Sequence, residues 1–196
     1  MNPRIKAAAA AAASVSAALS LLAACTPSEA PQPSIQDIMA TIVDPSADAL
    51  WDAVSTEVTA LGVEEKRPRG DAEWRTLRAR AATLAEGARL LADRERPVTH
   101  GGRQVEDAHV AGVLPAHEVE KAIGADRPGF EARARDLQQA AGEALAAIDA
   151  RNADRLLVVG GQIDQACERC HQSFWYPAAE GPKAKWPAPL KAAGRP

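Results

Sequence analysis

Ala153-Asp154-Arg155-Leu156-Leu157-Val158-Val159-Gly160-Gly161-Gln162-Ile163-Asp164-Gln165-Ala166-Cys167-Glu168-Arg169-Cys170-His171 is the stretch on which the reading of this 196-residue chain turns. Leu156, Val159, Ile163, Ala166 and Cys170 step by three and four residues, which places them on one face of a helix. A face of that kind has to be buried against another element. Gly160-Gly161 sits inside the helix, where each glycine costs about 1 kcal/mol relative to alanine. A close approach by a cofactor or by backbone is therefore expected at the pair.

The same period recurs upstream. Asp71 suits the N-cap of a helix running to about Asp93, in which Trp74, Leu77, Ala81, Leu84, Ala88 and Leu91 form a bundle seam. A further helix, from Pro128-Gly129 to about Asn152, carries Phe130, Ala134, Leu137, Ala141, Leu145 and Ile148. Nearer the start, Ser34-Ile35-Gln36-Asp37 reads as a capping box, and Ile35, Ile38, Met39 and Ile42 follow on one face. Asp44-Pro45-Ser46 interrupts that face and predicts a kink or restart. Helix is then expected to resume through Ala49, Leu50, Trp51, Val54 and Val58 toward Gly62, with Glu64 to Gly70 a charged connector. The segment from Arg94 to Arg127 is long for a connection and predicts a functional or mobile stretch, with a short helix from Pro115 to Ile123. Nothing reads as a strand. Scarce aromatics and abundant alanine favour close-packed helices over a sheet, so the predicted fold class is all-α, a four-helix bundle.

Cys167-Glu168-Arg169-Cys170-His171 carries the chemistry. Cys-x-x-Cys-His is the attachment pattern of c-type haem. Positions i, i+3 and i+4 share one side of a helix, so two thiols can form thioethers with one porphyrin while the imidazole reaches its iron from the proximal side. The rival readings fit less well. A redox Cys-x-x-Cys follows a strand in an α/β unit, and no such strand is expected here. Zinc wants four ligands and there is no second cysteine pair. A disulfide between cysteines three apart on a helix is strained.

The beginning of the chain bears on the compartment. Met1-Asn2-Pro3-Arg4-Ile5-Lys6 precedes an uncharged run from Ala7 to Ala24, the pattern of a secretory signal. Leu22-Ala23-Ala24-Cys25 resembles the bacterial lipobox, which implies a lipid on Cys25 and anchoring to a membrane rather than spanning. Ordinary cleavage or an uncut signal anchor are the alternatives. The proline-rich residues after Cys25 read as a tether. The expected organisation is a signal peptide over 1–24, a tether over 25–33, a helical domain over 34–176 and a loose tail over 177–196. Residues 1–24 contain Arg4 and Lys6 and no acid, so their removal takes the formal charge from −3 to −5. A mildly acidic body without a basic patch argues against nucleic acid as a partner. A periplasmic location suits the motif, because bacterial c-type haem is attached outside the cytoplasm.

With the motif on the last helix, the chain resembles the class II cytochromes c, the cytochrome c′ group, over roughly Ser34 to Tyr176. The resemblance implies an antiparallel up-and-down bundle, one covalent haem c on Cys167 and Cys170, and His171 as proximal axial ligand. It implies further that a first-helix methionine binds the distal face in low-spin members, whereas an apolar residue stands there in high-spin ones. Homodimers through the first two helices are also usual in the group. Met39 is the sole methionine once Met1 leaves with the signal, which makes it the candidate distal ligand, against the plainer alternative of core filling. His100, His109 and His117, all in the long connector, are rival ligands. Trp51, Trp74, Phe130, Phe174 and Trp175 are candidates to line the pocket, and Arg75, Arg78 and Arg169 to pair with propionates.

The function expected is single-electron transfer with a redox partner protein, from a membrane-tethered position. Nothing near the motif supplies an acid–base pair or an activated nucleophile, so no enzyme activity is expected. Binding of nitric oxide or carbon monoxide at a vacant distal face is the second hypothesis. A structural lipoprotein with an accidental motif is the third.

Overall fold

The computed structural model describes residues 32–93 and 95–177. The predicted signal, the predicted lipidation site Cys25 and the predicted tail beyond Pro177 lie outside the described residues, and the described residues from Pro33 onward belong to one unit. The described residues are mostly helical, with one small hairpin.

Helix α1 (Ile35–Ile38) opens on the expected capping box. The Asp37 backbone N–H donates to Ser34 Oγ at 3.1 Å, and Ser34 N–H and Oγ–H donate to Asp37 Oδ2 at 3.0 and 2.7 Å. These bonds, with one from Arg103, hold the Asp37 carboxyl well below its usual range. The connector satisfies two more N-terminal donors, because Ile35 N–H and Gln36 N–H bond to Pro97 and Val98 carbonyls.

The helical path does not break at Pro45. It widens just before it, in a π-helical turn over Met39–Val43 that leads into α2 (Asp44–Trp51). The Asp44 N–H reaches back to the Met39 carbonyl, the bond of a π turn. Two causes act together. Pro45 has no N–H to give and its ring crowds the carbonyl four residues earlier. The core also asks for one extra residue, since Ile38 at 0 % and Val43 at 1 % exposure are both buried although five apart. An uninterrupted α-helix turns by about 100° per residue and would set these two on nearly opposite faces. The expected kink or restart takes the form of a bulge, after which α-helix begins anew at Asp44.

Helix ends at Trp51, short of the expected Gly62. Residues 55–66 instead form an antiparallel hairpin, β1 (Ser55–Thr59) on β2 (Gly62–Lys66), with Val58 opposite Val63 and Glu57 opposite Glu64. The run Val54-Ser55-Thr56-Glu57-Val58-Thr59 is rich in β-branched residues, which lose rotamer freedom in a helix and suit a pleated strand. Gly62 closes the turn at φ +135°, a conformation that side chains disfavour. The expected absence of strand is therefore corrected here.

Helix α3 (Asp71–Asp93) has the bounds expected of it, and its whole predicted stripe is buried. Helix α4 (Ala116–Ala125) is the short helix of the connector and buries Val119 and Ile123. Asp126 caps α5 (Arg127–Asp149) by accepting the Gly129 N–H at 3.0 Å. Asn152 caps α6 (Ala153–Phe174) by accepting the Arg155 N–H at 2.9 Å. Helix α3 packs on α5, α5 on α6, and α2 on both α3 and α6. Their stripes meet in one core, where each fully buried leucine or isoleucine contributes about 1.5–3 kcal/mol. The rest of the connector lies across the end where α1 begins and α6 stops: Val98 and Val105 are buried, and the Leu114 N–H bonds the Trp175 carbonyl.

Candidate functional site

The last two turns of α6 bring Cys167, Cys170 and His171 onto one cavity of about 150 Å³. Met39, at the start of the π turn, lines the same cavity from the other end of the sequence. The walls between them are mainly apolar: Val43, Ala47 and Trp51 from the first helical segment, Leu91 from α3, and Phe130, Ala134 and Leu137 from α5. Asp44 and Arg133 are the charged members. A second cavity, of about 300 Å³, shares Met39, Asp44 and His171 and is bounded by Glu106, Asp107 and Val113 of the connector and by Trp175 and Tyr176. Small-molecule sites usually span about 300–1,000 Å³, a range the inner cavity reaches only together with this outer one.

Burial sets the chemistry of the donors. It pushes the Cys167 thiol up to about 12 and the Cys170 thiol up to about 11, with Cys170 and Asp44 adding to the rise at Cys167. Both thiols are free and protonated at neutral pH. Thiol–disulfide exchange needs a thiolate, so these two are poorly suited to it. Burial also lowers His171, against the pull of Glu168, and leaves its imidazole neutral with a lone pair to donate. The ring lies 6.2 Å from that of Trp175 and 5.8 Å from that of Tyr176, centroid to centroid. The Tyr176 hydroxyl donates to Glu168 Oε2 at 2.6 Å, which ties the segment after the helix back onto the motif. Asp44 is raised by its own partial burial and by Glu106 and Asp48.

Other candidates from the sequence fall in different places. Trp51 and Phe130 line the inner cavity, Trp175 lines the outer one, and Phe174 meets Phe130 edge to face at 5.5 Å. Trp74 is core and lines neither cavity. His100 stands near Asp37, while His109 and His117 are exposed, and none of the three lines either cavity. Arg75, Arg78 and Arg169 also lie off both, Arg78 pairing with Asp149 at 2.8 Å. The close approach expected at Gly160-Gly161 is made by a side chain: Trp51 Nε1–H donates to the Gly160 carbonyl at 3.0 Å, and a Cβ there would stand 3.1 Å from the indole. Gly161 faces open space.

Sequence reasoning missed Arg133 and Asp44. Arg133 lies one turn from both Phe130 and Leu137, which was the available signal for a cation at the edge of that stripe. A larger cavity, about 620 Å³, opens at the foot of the hairpin between Lys66–Arg69 and α3, and none of the motif residues lines it. Among the described residues no group of three or more His, Cys, Asp or Glu side chains is placed to hold a metal ion by itself, and no helix is long and apolar enough to cross a membrane. No protein-family model, curated protein or solved structure matches the chain.

Proposed function

We propose that this chain is an exported c-type cytochrome of the class II kind, carrying one haem c and passing single electrons to a redox partner protein. In this reading α1–α2, α3, α5 and α6 are the four helices of an antiparallel up-and-down bundle. The single observation that carries it is the convergence of Met39 with Cys167, Cys170 and His171 on one mainly apolar cavity.

The donor set fits the group. Cys167 and Cys170 would hold it through thioethers, and the His171 imidazole and the Met39 thioether would ligate its iron. Bound haem c supplies a one-electron couple. The chain's own residues then do the tuning. His171 enters as a neutral imidazole because burial keeps it so. Phe130, Leu137 and Ala166 exclude water from the cavity and keep the dielectric low, while Met/His ligation raises the potential relative to bis-histidine. Met39 and His171 stand on separate packed helical segments, which would hold both side chains in place. Arg133, on the lining, is the cation chemically suited to a propionate. Lipid on Cys25 would keep the body at the periplasmic face of a membrane.

Expression with and without a c-type maturation system, followed by haem staining on a denaturing gel, tests this. Stain that survives denaturation only with the maturation system is the expected result. Stain that never survives sinks covalent attachment. A high-spin ferric spectrum that shifts with carbon monoxide would favour gas binding over electron transfer.

A further inference from the structure

We infer that Gly87 is a positioning residue for Met39: lacking a Cβ, it gives the wide π turn Met39–Val43 its seat on α3 and so fixes where the Met39 thioether stands at the cavity. The inference rests on the haem reading above and deepens it.

A π turn carries one more residue than an α turn and is wider for it. Here α3 lies beside it, and Gly87 is the residue that faces the bulge. A Cβ built on Gly87 would stand 2.9 Å from Ile42 Cγ2 and 3.0 Å from Val43 Cγ2. Real side-chain contacts are longer than that, so something would have to shift. The atoms it meets belong to β-branched residues, which are stiff at χ1 and cannot swing clear. Glycine is costly in the middle of a 23-residue helix, and α3 keeps it at a buried position. The same two residues that touch Gly87 close the turn whose first residue is Met39. Val43 lines the cavity beside Met39. Displacement at Ile42 and Val43 is therefore passed along one turn of backbone to the thioether.

A glycine kept only for close helix packing would behave differently, and spectra separate the two roles. In the haem-loaded full chain, Gly87→Ala is expected to keep stain on a denaturing gel yet lose most of the weak long-wavelength ferric band of methionine–iron ligation, with the ferrous form gaining carbon monoxide binding. Adding Ile42→Ala removes the nearer methyl and is expected to restore the band. A Gly87→Ala protein that melts lower with its band unchanged overturns the inference and leaves the cytochrome reading standing. A wild type that stains but lacks the band overturns it too, by removing Met39 from the iron. Absence of stain in the wild type brings down both. Should Gly87→Ala alone give no folded haem protein, the double variant must fold and show the band, and its failure also overturns the inference.

Discussion

Met39 is the residue whose replacement says most about the site. Met39→Leu conserves volume and side-chain shape, so it should cost less than about 1.5 kcal/mol in thermal unfolding. In the haem-loaded protein proposed above, it should nonetheless abolish a methionine–iron band, lower the reduction potential and admit carbon monoxide, because leucine offers no lone pair. Unchanged potential and spectrum would mean that Met39 only fills space. At the other end of α1, Asp37 contributes through its charge. Its carboxyl is depressed below the ordinary 3.8, chiefly by the Ser34 hydroxyl and then by Arg103. A depressed acid contributes stability above its ordinary value and loses it as the pH falls through the depressed one. Asp37→Asn should therefore melt below wild type at pH 7, and the gap should shrink as the pH drops under 3.8. A gap independent of pH would assign the effect to lost shape. At this scale the motif was readable from sequence because its three donors are within five residues. Asp44 and Arg133 were not, since each flanks a stripe and reaches the cavity only through tertiary packing.

Elements were legible wherever one period ran unbroken. The stripes of α3, α5 and α6 each span many turns, and almost every residue named on them is buried. The first segment defeated the same reasoning for two reasons. Ile42 and Val43 are both apolar, so one seven-residue face could be drawn through Ile42 when the extra residue of the π turn in fact hands the core to Val43. Val54 and Val58, four apart, then mimic a helix face, while Val58 is 85 % exposed on a strand. Among the described residues the hairpin has no third strand, and a lone pair of strands is marginal in water. Its acidic cross-strand pair, Glu57 opposite Glu64, weakens it further. Gly62 must supply the left-handed turn, so Gly62→Ala should cost about 1 kcal/mol or more locally and raise amide exchange at Glu57 and Glu64, the pair that exchanges backbone bonds next to the turn, while leaving α3 protected. Equal exchange in both proteins would show that the turn does not depend on glycine.

Over the whole molecule, the long connector explains why the site is closed at one end. It caps α1 through Pro97 and Val98, bonds α6 through Leu114, and walls the outer cavity with Glu106 and Asp107. None of this was visible in the sequence, because backbone bonds from an irregular segment leave no period to read. The surface ion pairs that link elements, such as Arg151 with Asp71 and Arg67 with Asp154, are exposed and screened by solvent, so they contribute little. Cohesion comes from the shared core, and the cavity is a gap in that core where a sulfur, an imidazole and two thiols stand together. The most direct test of that claim is the mass of the peptide containing Cys167 to His171, taken from protein matured in a host competent for c-type cytochromes. This peptide is expected to carry one haem, and the mass gain to disappear in Cys167→Ala/Cys170→Ala. A peptide of unmodified mass from such a host would contradict the claim.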